Sequence, residues 1–415
     1  MKRLLLTGNG AAAWGARLAK AEYIPAFPIT PQTEIIENLA AWIDSSEMPG
    51  RLVTLESEHS MMTAAGGAAA AGVRVFSATS SQGLLYAMEM LYTVAGWRVP
   101  FVLVNVSRAL SAPITLEPDH NDVFAARDSG FIQIHCSTCQ EVVDAVLLAY
   151  RLAEHPDIRL PVMVNLDGFY LSFTREPVTL PDQQGAAEFV GGFDPLGMAF
   201  RAGAPLSQAV AVLGGSQYSY FRYQQHLASL QALDVYDDLE REFFGRFGRS
   251  HPAVEAYRTD EAEMVFLMTG SFATKAGNAV DALRESGIRA GLVRPRLLRP
   301  FPVRRLRQVL RGVRGIAVID QNLSVGKGGI LYTELASALY GQENAPVLLS
   351  FIGGLGGRDI SGEEFIGIAR VTIDAIRSGS VPEPRLLYTA DELRHIRKLQ
   401  AIASVQQENH CRNHE

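Results

Sequence analysis

The chain has 415 residues, 47% of them hydrophobic and 20% charged, which is enough for two or three domains that each bury a core. Its formal net charge of −6 argues against a protein that binds nucleic acid through bulk positive charge. No apolar run reaches the length of a membrane span, and three cysteines without a recognisable secretory signal predict a reducing, cytoplasmic location.

The first third of the chain predicts an α/β domain with a parallel sheet. Continuous apolar runs at 101–106, 131–135 and 162–166 alternate with helical patterns. Strands that are apolar on both faces belong to a sheet that helices cover on both sides. We therefore predict a first α/β domain over residues 1–175.

The rest of the chain divides into three further segments. Residues 176–262 are first rich in glycine and proline and then follow a polar, aromatic-bearing helical pattern, which we interpret as a connecting arm. A second α/β pattern occupies residues 263–380, where Ser361 and Glu364 form the capping box of a helix start. Residues 381–415 are interpreted as a C-terminal helix and tail.

Polar residues follow the predicted strands of the first domain at four points. In the stretch PITPQT, Pro31 suits the first position of a helix and Thr30 suits its N-cap. Glu58 precedes a helix rich in alanine and glycine, TSSQG at 79–83 begins another helix, and Arg108 ends a buried strand. Because the carboxyl ends of parallel strands share one edge of a sheet, these residues are predicted to line one cleft.

Each of these residues also has a structural interpretation that the sequence leaves open. Thr30 could simply cap a helix, and Glu58 could be a partner of a helix dipole. In a dry pocket, Glu58 could instead accept a proton from a heterocycle nitrogen. Arg108 is costly after a buried strand unless it is paired, and its guanidinium suits bidentate binding of a carboxylate. His120 could donate a proton, or it could be structural.

Three other motifs predict no chemistry. Cys136 and Cys139 form a single CxxC without a second ligand pair, so we predict buried thiols rather than a zinc site. The glycine-rich stretch at 326–329 is not a phosphate-binding loop, because neither Ser nor Thr follows Lys327. The nine arginines within 289–314 predict a solvated or subunit-facing surface rather than a site for the phosphates of coenzyme A.

A series of motifs occurs in one order along the chain. The motifs are PITPQT, LESE, TSSQGLLYAMEM, SRALSAP, PDHND, RDSGF, QEVVDA and LPVMVNLDGF, followed by GSFATKAGNAV, VIDQNLSVGKGG and FIGGLGGRDIS. Across roughly residues 5–375 the chain thereby resembles the α subunit of the 2-oxoacid:ferredoxin (acceptor) oxidoreductase family, of the pyruvate, 2-oxoisovalerate or phenylglyoxylate type. The resemblance implies a thiamine-pyrophosphate (pyrimidine-type) binding domain on a parallel sheet, followed by a second α/β domain like the C-terminal domain of transketolase.

The resemblance also implies an activity and a set of partners. The family oxidatively decarboxylates a 2-oxoacid, such as pyruvate or the bulkier phenylglyoxylate, to an acyl-CoA and CO2 with thiamine pyrophosphate and coenzyme A. Electrons leave through 4Fe–4S clusters on partner subunits to ferredoxin or NAD. The expected partners are a β subunit that binds the diphosphate and Mg²⁺, ferredoxin-like γ and δ subunits and, in some assemblies, a flavin or NAD subunit, together forming a dimer of hetero-oligomers.

The resemblance assigns roles to particular residues of this chain. Glu58 is expected to bind N1′ of the aminopyrimidine, and Thr30 and Arg108 to hold the carboxylate or the keto oxygen of the substrate. Further contacts to the cofactor are expected from Ser80, Ser81 and Gln82. The pocket for the substrate side chain is expected to be lined by Ile114, Thr115, Leu116, His120 and Asn121.

The motif that anchors a diphosphate through a metal is incomplete in this sequence. Thiamine enzymes use GDG and a following Asn, whereas the stretch LDGF at 166–169 lacks the first glycine and the Asn. Three cysteines also cannot ligate a cluster that needs four. No metal site is therefore predicted on this chain. The alternatives are a non-catalytic assembly or binding subunit of the same fold, and a thiamine-dependent decarboxylase or transketolase-like enzyme without electron transfer.

Overall fold

The computed structural model describes residues 2–195, 199–207 and 211–412, with side chains as far as residue 403. The strands are β1 (Lys2–Thr7), β2 (Tyr23–Ala26), β3 (Arg51–Thr54), β4 (Phe76–Thr79), β5 (Val102–Ser107), β6 (Ile132–His135), β7 (Val162–Asp167), β8 (Arg175–Leu180), β9 (Val254–Tyr257), β10 (Met264–Leu267), β11 (Ala290–Pro295), β12 (Leu297–Arg299), β13 (Gly315–Asp320), β14 (Val347–Ile352) and β15 (Arg385–Leu386). The helices are α1 (Gly8–Leu18), α2 (Thr33–Asp44), α3 (Glu58–Ala70), α4 (Ser81–Tyr86), α5 (Met88–Trp97), α6 (Asn121–Ala125), α7 (Cys139–Ala153), α8 (Gln183–Val190), α9 (Gly215–Phe247), α10 (Ala273–Glu285), α11 (Val303–Val309), α12 (Ile330–Leu339), α13 (Gly362–Ser378) and α14 (Ala390–Arg412).

The first domain is organised around a sheet with the strand order β12-β6-β7-β5-β4. In this sheet β4, β5, β7 and β6 run parallel, and β12 is antiparallel at the edge. β2 and β3 form a parallel pair beside β4, to which a bridge between Tyr23 and Val75 connects them. Every residue of β5 and β7 is buried. The prediction of a parallel α/β sheet with covered strands is therefore confirmed.

Small residues bring the covering helices close to one another. A Cβ atom on Gly15 of α1 would lie 2.6 Å from Cβ of Val146 on α7. On the other face, a Cβ on Gly66 of α3 would overlap the side chain of Val94 on α5. These two crossings require glycine at positions 15 and 66, where the neighbouring helix approaches closely.

The second domain has its own sheet, with the strand order β15-β14-β13-β10-β11-β9. Its strands are parallel except for β9, which is antiparallel to β11. Directly after β11 the chain forms β12, which pairs with Ile134 and Gln133 of the first sheet. The segment of the second domain thus contributes one strand, β12, to the sheet of the first domain, which joins the two domains in addition to the connecting residues. The predicted capping box at Ser361 and Glu364 is confirmed at the start of α13.

The predicted connecting arm at 176–262 packs against both domains. β8 pairs antiparallel with β1, and the sequence patterns predicted neither of these two strands. α9 is 33 residues long and buries Ala232 and Tyr236 in the core of the first domain. β9 then forms the edge of the second sheet. The arm is therefore part of the packed structure, and the domain boundaries at 175 and 262 remain predictions.

The arginine-rich stretch at 289–314 is mostly engaged in ion pairs within the chain. Arg294 and Arg296 are buried, and their guanidinium groups pair with Glu141 of α7 at 2.6 and 2.8 Å and also with Glu255 of β9. For these two residues the prediction of a solvated or subunit-facing surface is wrong. The pattern of charges alone does not reveal a partner such as Glu141, because it lies more than a hundred positions away in the chain.

Two other predictions concern cysteines and membranes. Cys136 and Cys139 are buried, and burial raises the pKa of each thiol, so the prediction of buried thiols is confirmed. In the described part of the chain, no helix combines the length and the apolar character needed to cross a membrane.

We expect Glu141→Gln to lower the free energy of unfolding by about 3 kcal/mol, because it leaves two buried guanidinium groups without their main counter-ion. Burial alone would raise the pKa of Glu141, but Arg296 and Arg294 lower it overall. The stabilisation is therefore present above the unfolded pKa of about 4.3 and is lost as the pH falls through the lower folded value. Urea denaturation at pH 7 measures the effect. The control Asp238→Asn disrupts an exposed pair with Arg241 and should change stability by less than about 1 kcal/mol.

Candidate active site

Three of the predicted site residues meet at the carboxyl edge of the first sheet. Nη1 of Arg108 donates to the carbonyl of Thr30 at 2.8 Å, and Nη2 donates to Oε1 of Gln82 at 2.9 Å. The amide of Gln82 in turn donates to Oγ of Ser111 at 2.9 Å. The end of β5, the turn before α2 and the start of α4 thus surround one guanidinium group.

Arg108 carries a buried positive charge that has no counter-ion within ion-pair distance among the described residues. Its side chain donates only to a backbone carbonyl and to a neutral amide, and its Nε is buried without a partner. Burial lowers its pKa, which the nearby charge of Asp122 partly offsets. Arginine remains protonated in proteins under such conditions. An anionic ligand would supply the missing counter-ion.

Glu58 lies at the start of α3, where Ser57 caps the helix by accepting from the N–H of Ser60 at 3.2 Å. The Glu58 side chain is 5% exposed. A Cβ atom on Gly83 of α4 would overlap its carboxylate and would lie 2.7 Å from Oγ1 of Thr79. The absence of a side chain at position 83 therefore makes room for the carboxylate beside β4.

Two buried hydroxyl groups follow at the same strand end. Oγ1 of Thr79 and Oγ of Ser80 have no hydrogen-bond partner among the described residues. Buried polar atoms are normally paired in native proteins, so such atoms beside a carboxylate suggest a place for a polar ligand. Ser81 is different, because its hydroxyl oxygen lies within hydrogen-bonding distance of two acceptors, Oε1 of Gln82 at 2.6 Å and the carbonyl of Ala109 at 3.0 Å.

The predicted cap of α2 is wrong. The helix begins at Thr33, and Gln32 occupies the N-cap position, so neither Thr30 as N-cap nor Pro31 as first helical residue is correct. Residues 29–32 instead form a turn closed by the N–H of Gln32 on the carbonyl of Ile29 at 3.1 Å. The Thr30 side chain is consequently exposed rather than bonded to a helix end.

Asp122 is a fully buried carboxylate that organises this edge of the sheet. It accepts hydrogen bonds from the N–H of Ser81 at 3.0 Å, the hydroxyl of Ser107 at 2.9 Å, the amide of Asn105 at 3.2 Å and the N–H of Arg108 at 3.3 Å. Burial raises its pKa. Its neighbours in the motif PDHND do not reveal this role, because its hydrogen-bond donors lie at 81 and 105–108.

His120 and Asn121 face the second domain rather than Arg108. Nε2 of His120 lies 2.7 Å from Oδ1 of Asp167, and the other carboxylate oxygen accepts from the N–H and hydroxyl of Ser271 at 2.7 and 2.6 Å. Oδ1 of Asn121 accepts from the N–H of Leu323 at 3.0 Å. Asp167, the acid of the LDGF stretch, thus pairs within the chain with His120 and with Ser271 of the second domain.

The remaining predicted pocket residues lie in the loop after Arg108. Ile114 is 74% exposed and Leu116 is 46% exposed, so both aliphatic side chains lie at the surface of this chain. Thr115 is partly buried, and its methyl group faces Gly356 of the second domain. The structure brings Thr30, Gln82 and Arg108 together, whereas Ile114 and Leu116 would require another surface to be covered.

Comparisons with known proteins agree with this architecture. Residues 14–243 match the family model of the pyruvate flavodoxin/ferredoxin oxidoreductase, thiamine diphosphate-binding domain, and residues 262–365 match core domain II of pyruvate:ferredoxin oxidoreductase. The chain is 38% identical to the pyruvate synthase subunit PorA of Pyrococcus abyssi, over 92% of this chain and 96% of that one. It is 39% identical to the ketoisovalerate oxidoreductase subunit VorA of Pyrococcus horikoshii, over 91% of this chain and 95% of that one.

A solved structure shares the fold across both domains. The 2-oxoglutarate:ferredoxin oxidoreductase from Magnetococcus marinus, with 2-oxoglutarate, coenzyme A and succinyl-CoA bound, superposes with a TM-score of 0.70 at 20% identity. The match covers 90% of this chain, which spans 65% of that longer chain.

We expect Asp167→Asn to destabilise the protein more at pH 6 than at pH 9. Burial alone would lower the pKa of His120, but the charge of Asp167 raises it overall, and the pKa of Asp167 is lowered. The contribution of His120 is therefore full below its unfolded pKa of about 6.5 and is lost as the pH rises through the higher folded value. Urea denaturation of both proteins across this pH range measures the difference. An equal loss of stability at both pH values would show that His120 is neutral in the native protein.

Proposed function

The chain belongs to the pyruvate:ferredoxin/flavodoxin oxidoreductase family, and from this premise we propose that Arg108 and Glu58 form its half of a 2-oxoacid oxidoreductase active site. The chain is the α subunit of an enzyme that oxidatively decarboxylates a 2-oxoacid with thiamine pyrophosphate and coenzyme A. The observation that carries the proposed site is the buried guanidinium of Arg108, which has no counter-ion within ion-pair distance among the described residues.

The carboxylate of a 2-oxoacid is the anion that this arginine would bind. Two of the guanidinium donors are held by Thr30 and Gln82, so the group has a fixed orientation before the ligand arrives. The exposed hydroxyl of Thr30 lies on the same turn and would donate to the substrate carboxylate or keto oxygen. Pairing in this desolvated setting should be stronger than on the surface.

The residues around Glu58 fit an aminopyrimidine ring. A nearly buried carboxylate, the unpaired hydroxyl groups of Thr79 and Ser80, and a glycine where a side chain would intrude together form a small polar cradle. Glu58 would hold a proton at the ring atom N1′ and so favour the imino form of the ring. Bound thiamine pyrophosphate supplies a nucleophilic carbon for the keto group and accommodates negative charge after CO2 is lost.

The diphosphate and its Mg²⁺ are proposed to lie on a partner β subunit. On this chain the carboxylate of Asp167 is engaged by His120 and Ser271, and the motif lacks its first glycine. The same partner would cover Ile114 and Leu116. The 4Fe–4S clusters are proposed on γ and δ subunits, in a cytoplasmic dimer of hetero-oligomers.

The identity of the 2-oxoacid depends on the loop after Arg108, because the arginine recognises only the carboxylate that all 2-oxoacids share. Relatives are named for pyruvate and for ketoisovalerate. We propose pyruvate or a bulkier 2-oxoacid as the substrate. Assays of the assembled enzyme with coenzyme A and pyruvate, 2-oxoisovalerate, 2-oxoglutarate or phenylglyoxylate would identify it. Turnover without an iron–sulfur partner would favour a decarboxylase without electron transfer instead.

We expect Glu58→Gln to lower the turnover of the assembled enzyme by about 100-fold or more, because an amide cannot hold the proton that the carboxylate would. The matched control is Glu56→Gln, since Glu56 lies two residues earlier, is exposed and accepts a hydrogen bond from the hydroxyl of Ser60. Steady-state 2-oxoacid oxidation measures both. Normal turnover of the Glu58 variant would support a non-catalytic assembly subunit.

We expect Gly83→Ala to displace the Glu58 carboxylate and to lower turnover by at least about tenfold, because the new methyl group would occupy its position. Gly67→Ala is the matched control, since this glycine is also helical and a Cβ atom there would have no neighbour within 4 Å. Both changes favour helix formation by up to about 1 kcal/mol, so a loss of activity in the first variant alone would be steric. Equal activities would place Glu58 outside the catalytic site.

A further inference from the structure

We propose that the second domain sets the substrate range of the enzyme through the turn at Gly356–Gly357, which positions the loop at 109–117. This inference rests on the proposed function, in which that loop shapes the pocket for the substrate side chain. Gly357 would thus be a positioning residue for 2-oxoacid specificity, although it lies about 250 positions from Arg108 in the chain.

The loop begins one residue after Arg108 and is closed at its base. The N–H of Ala109 donates to the carbonyl of Glu117 at 3.1 Å, so the two ends of the loop are held together. Arg108 itself is fixed separately, because its N–H bonds to Asp122. A displacement of Glu117 would therefore move the loop while leaving the carboxylate-binding arginine in place.

The second domain contacts the base of this loop through its glycine-rich turn. The N–H of Gly357 donates to the carbonyl of Pro118 at 2.7 Å. A Cβ atom on Gly357 would lie 2.6 Å from Cβ of Glu117, and one on Gly356 would lie 3.5 Å from the methyl group of Thr115. The turn therefore fits against the loop with no space for even one additional methyl group at position 357.

The turn is itself held in place from the first domain. The hydroxyl of Tyr170 donates to the carbonyl of Gly357 at 2.7 Å, and the Tyr170 ring packs edge-on against Phe272 with centroids 4.9 Å apart. The next residues after the loop are also anchored, since the N–H of His120 donates to the carbonyl of Gln321 at 2.8 Å. The second domain thus forms a rigid support for the loop rather than an occasional contact.

The contact at Gly357 differs from the other contacts between the domains, because it acts on the loop at 109–117. The domains are already held together by the pairing of β12 with β6 and by the ion pairs of Arg294 and Arg296 with Glu141. The Gly357 contact instead falls on a loop whose aliphatic residues Ile114 and Leu116 are exposed toward the proposed partner surface. A small shift of such a loop changes the volume left for a substrate side chain and leaves the reacting groups unchanged.

The test compares Gly357→Ala with Gly379→Ala in the assembled enzyme. Both glycines have a left-handed backbone, with φ of 75° and 72°, so both variants carry similar backbone strain, but position 379 is surrounded by open space. We measure kcat/KM for pyruvate and for 2-oxoisovalerate. The ratio of the two should change by about fivefold or more in the Gly357 variant and stay constant in the control.

A second variant, Tyr170→Phe, keeps the test decisive if Gly357→Ala fails to fold. Tyr170→Phe removes only the hydrogen bond to the Gly357 carbonyl and should change the same ratio by about twofold to threefold. If Gly357→Ala does not assemble, this variant alone decides. A ratio that stays constant in every variant that assembles would overturn the inference.

The two proposals fail in distinguishable ways. A wild-type enzyme that oxidises 2-oxoacids and loses this activity with Glu58→Gln, but keeps a constant ratio in the Gly357 and Tyr170 variants, would overturn only the role of the second domain. An assembled wild-type enzyme that oxidises none of pyruvate, 2-oxoisovalerate, 2-oxoglutarate and phenylglyoxylate would overturn both proposals.

Discussion

The arrangement of the site depends on one buried positive charge that the described part of the chain leaves unneutralised. Burying an ion without a partner costs several kcal/mol, so such a residue persists only where the surrounding structure compensates or a ligand does. Here Arg108 donates to the neutral acceptors Thr30 and Gln82, which orient the guanidinium without cancelling its charge. The nearby carboxylate of Asp122 bonds to its backbone N–H and remains separate from its side chain. The charge therefore remains available to an anionic ligand, which we propose to be the substrate carboxylate.

One turn of helix connects this charge to the proposed proton-holding group. Gln82 accepts from Arg108, while the adjacent Gly83 leaves space for the carboxylate of Glu58. The start of that turn is fixed because the N–H of Ser81 donates a hydrogen bond to the carboxylate of Asp122. Consecutive residues of one element thus place the guanidinium group and the carboxylate, and in the proposed site this would preorganise the groups for substrate and cofactor.

The parallel sheet and the meeting of Thr30, Gln82 and Arg108 could be predicted because both follow from local patterns and from the shared edge of parallel strands. The N-cap at Thr30 could not, since the turn at 29–32 forms outside the helix and displaces its start to Thr33. The role of Asp122 was also missed, because its donors come from two separate segments, at Ser81 and at 105–108. Long-range partners are what a single sequence does not show.

Asp167 is another residue whose role depends on long-range partners. At the end of β7 this acid of the LDGF stretch pairs with His120 and with Ser271, so that the strand end serves the junction between the domains. We propose that this junction also supports the loop beyond Arg108. In the proposed enzyme this chain would bind the pyrimidine and the substrate carboxylate, and a partner would supply the diphosphate site. Under that proposal, the use of Asp167 in domain packing makes catalysis depend on assembly.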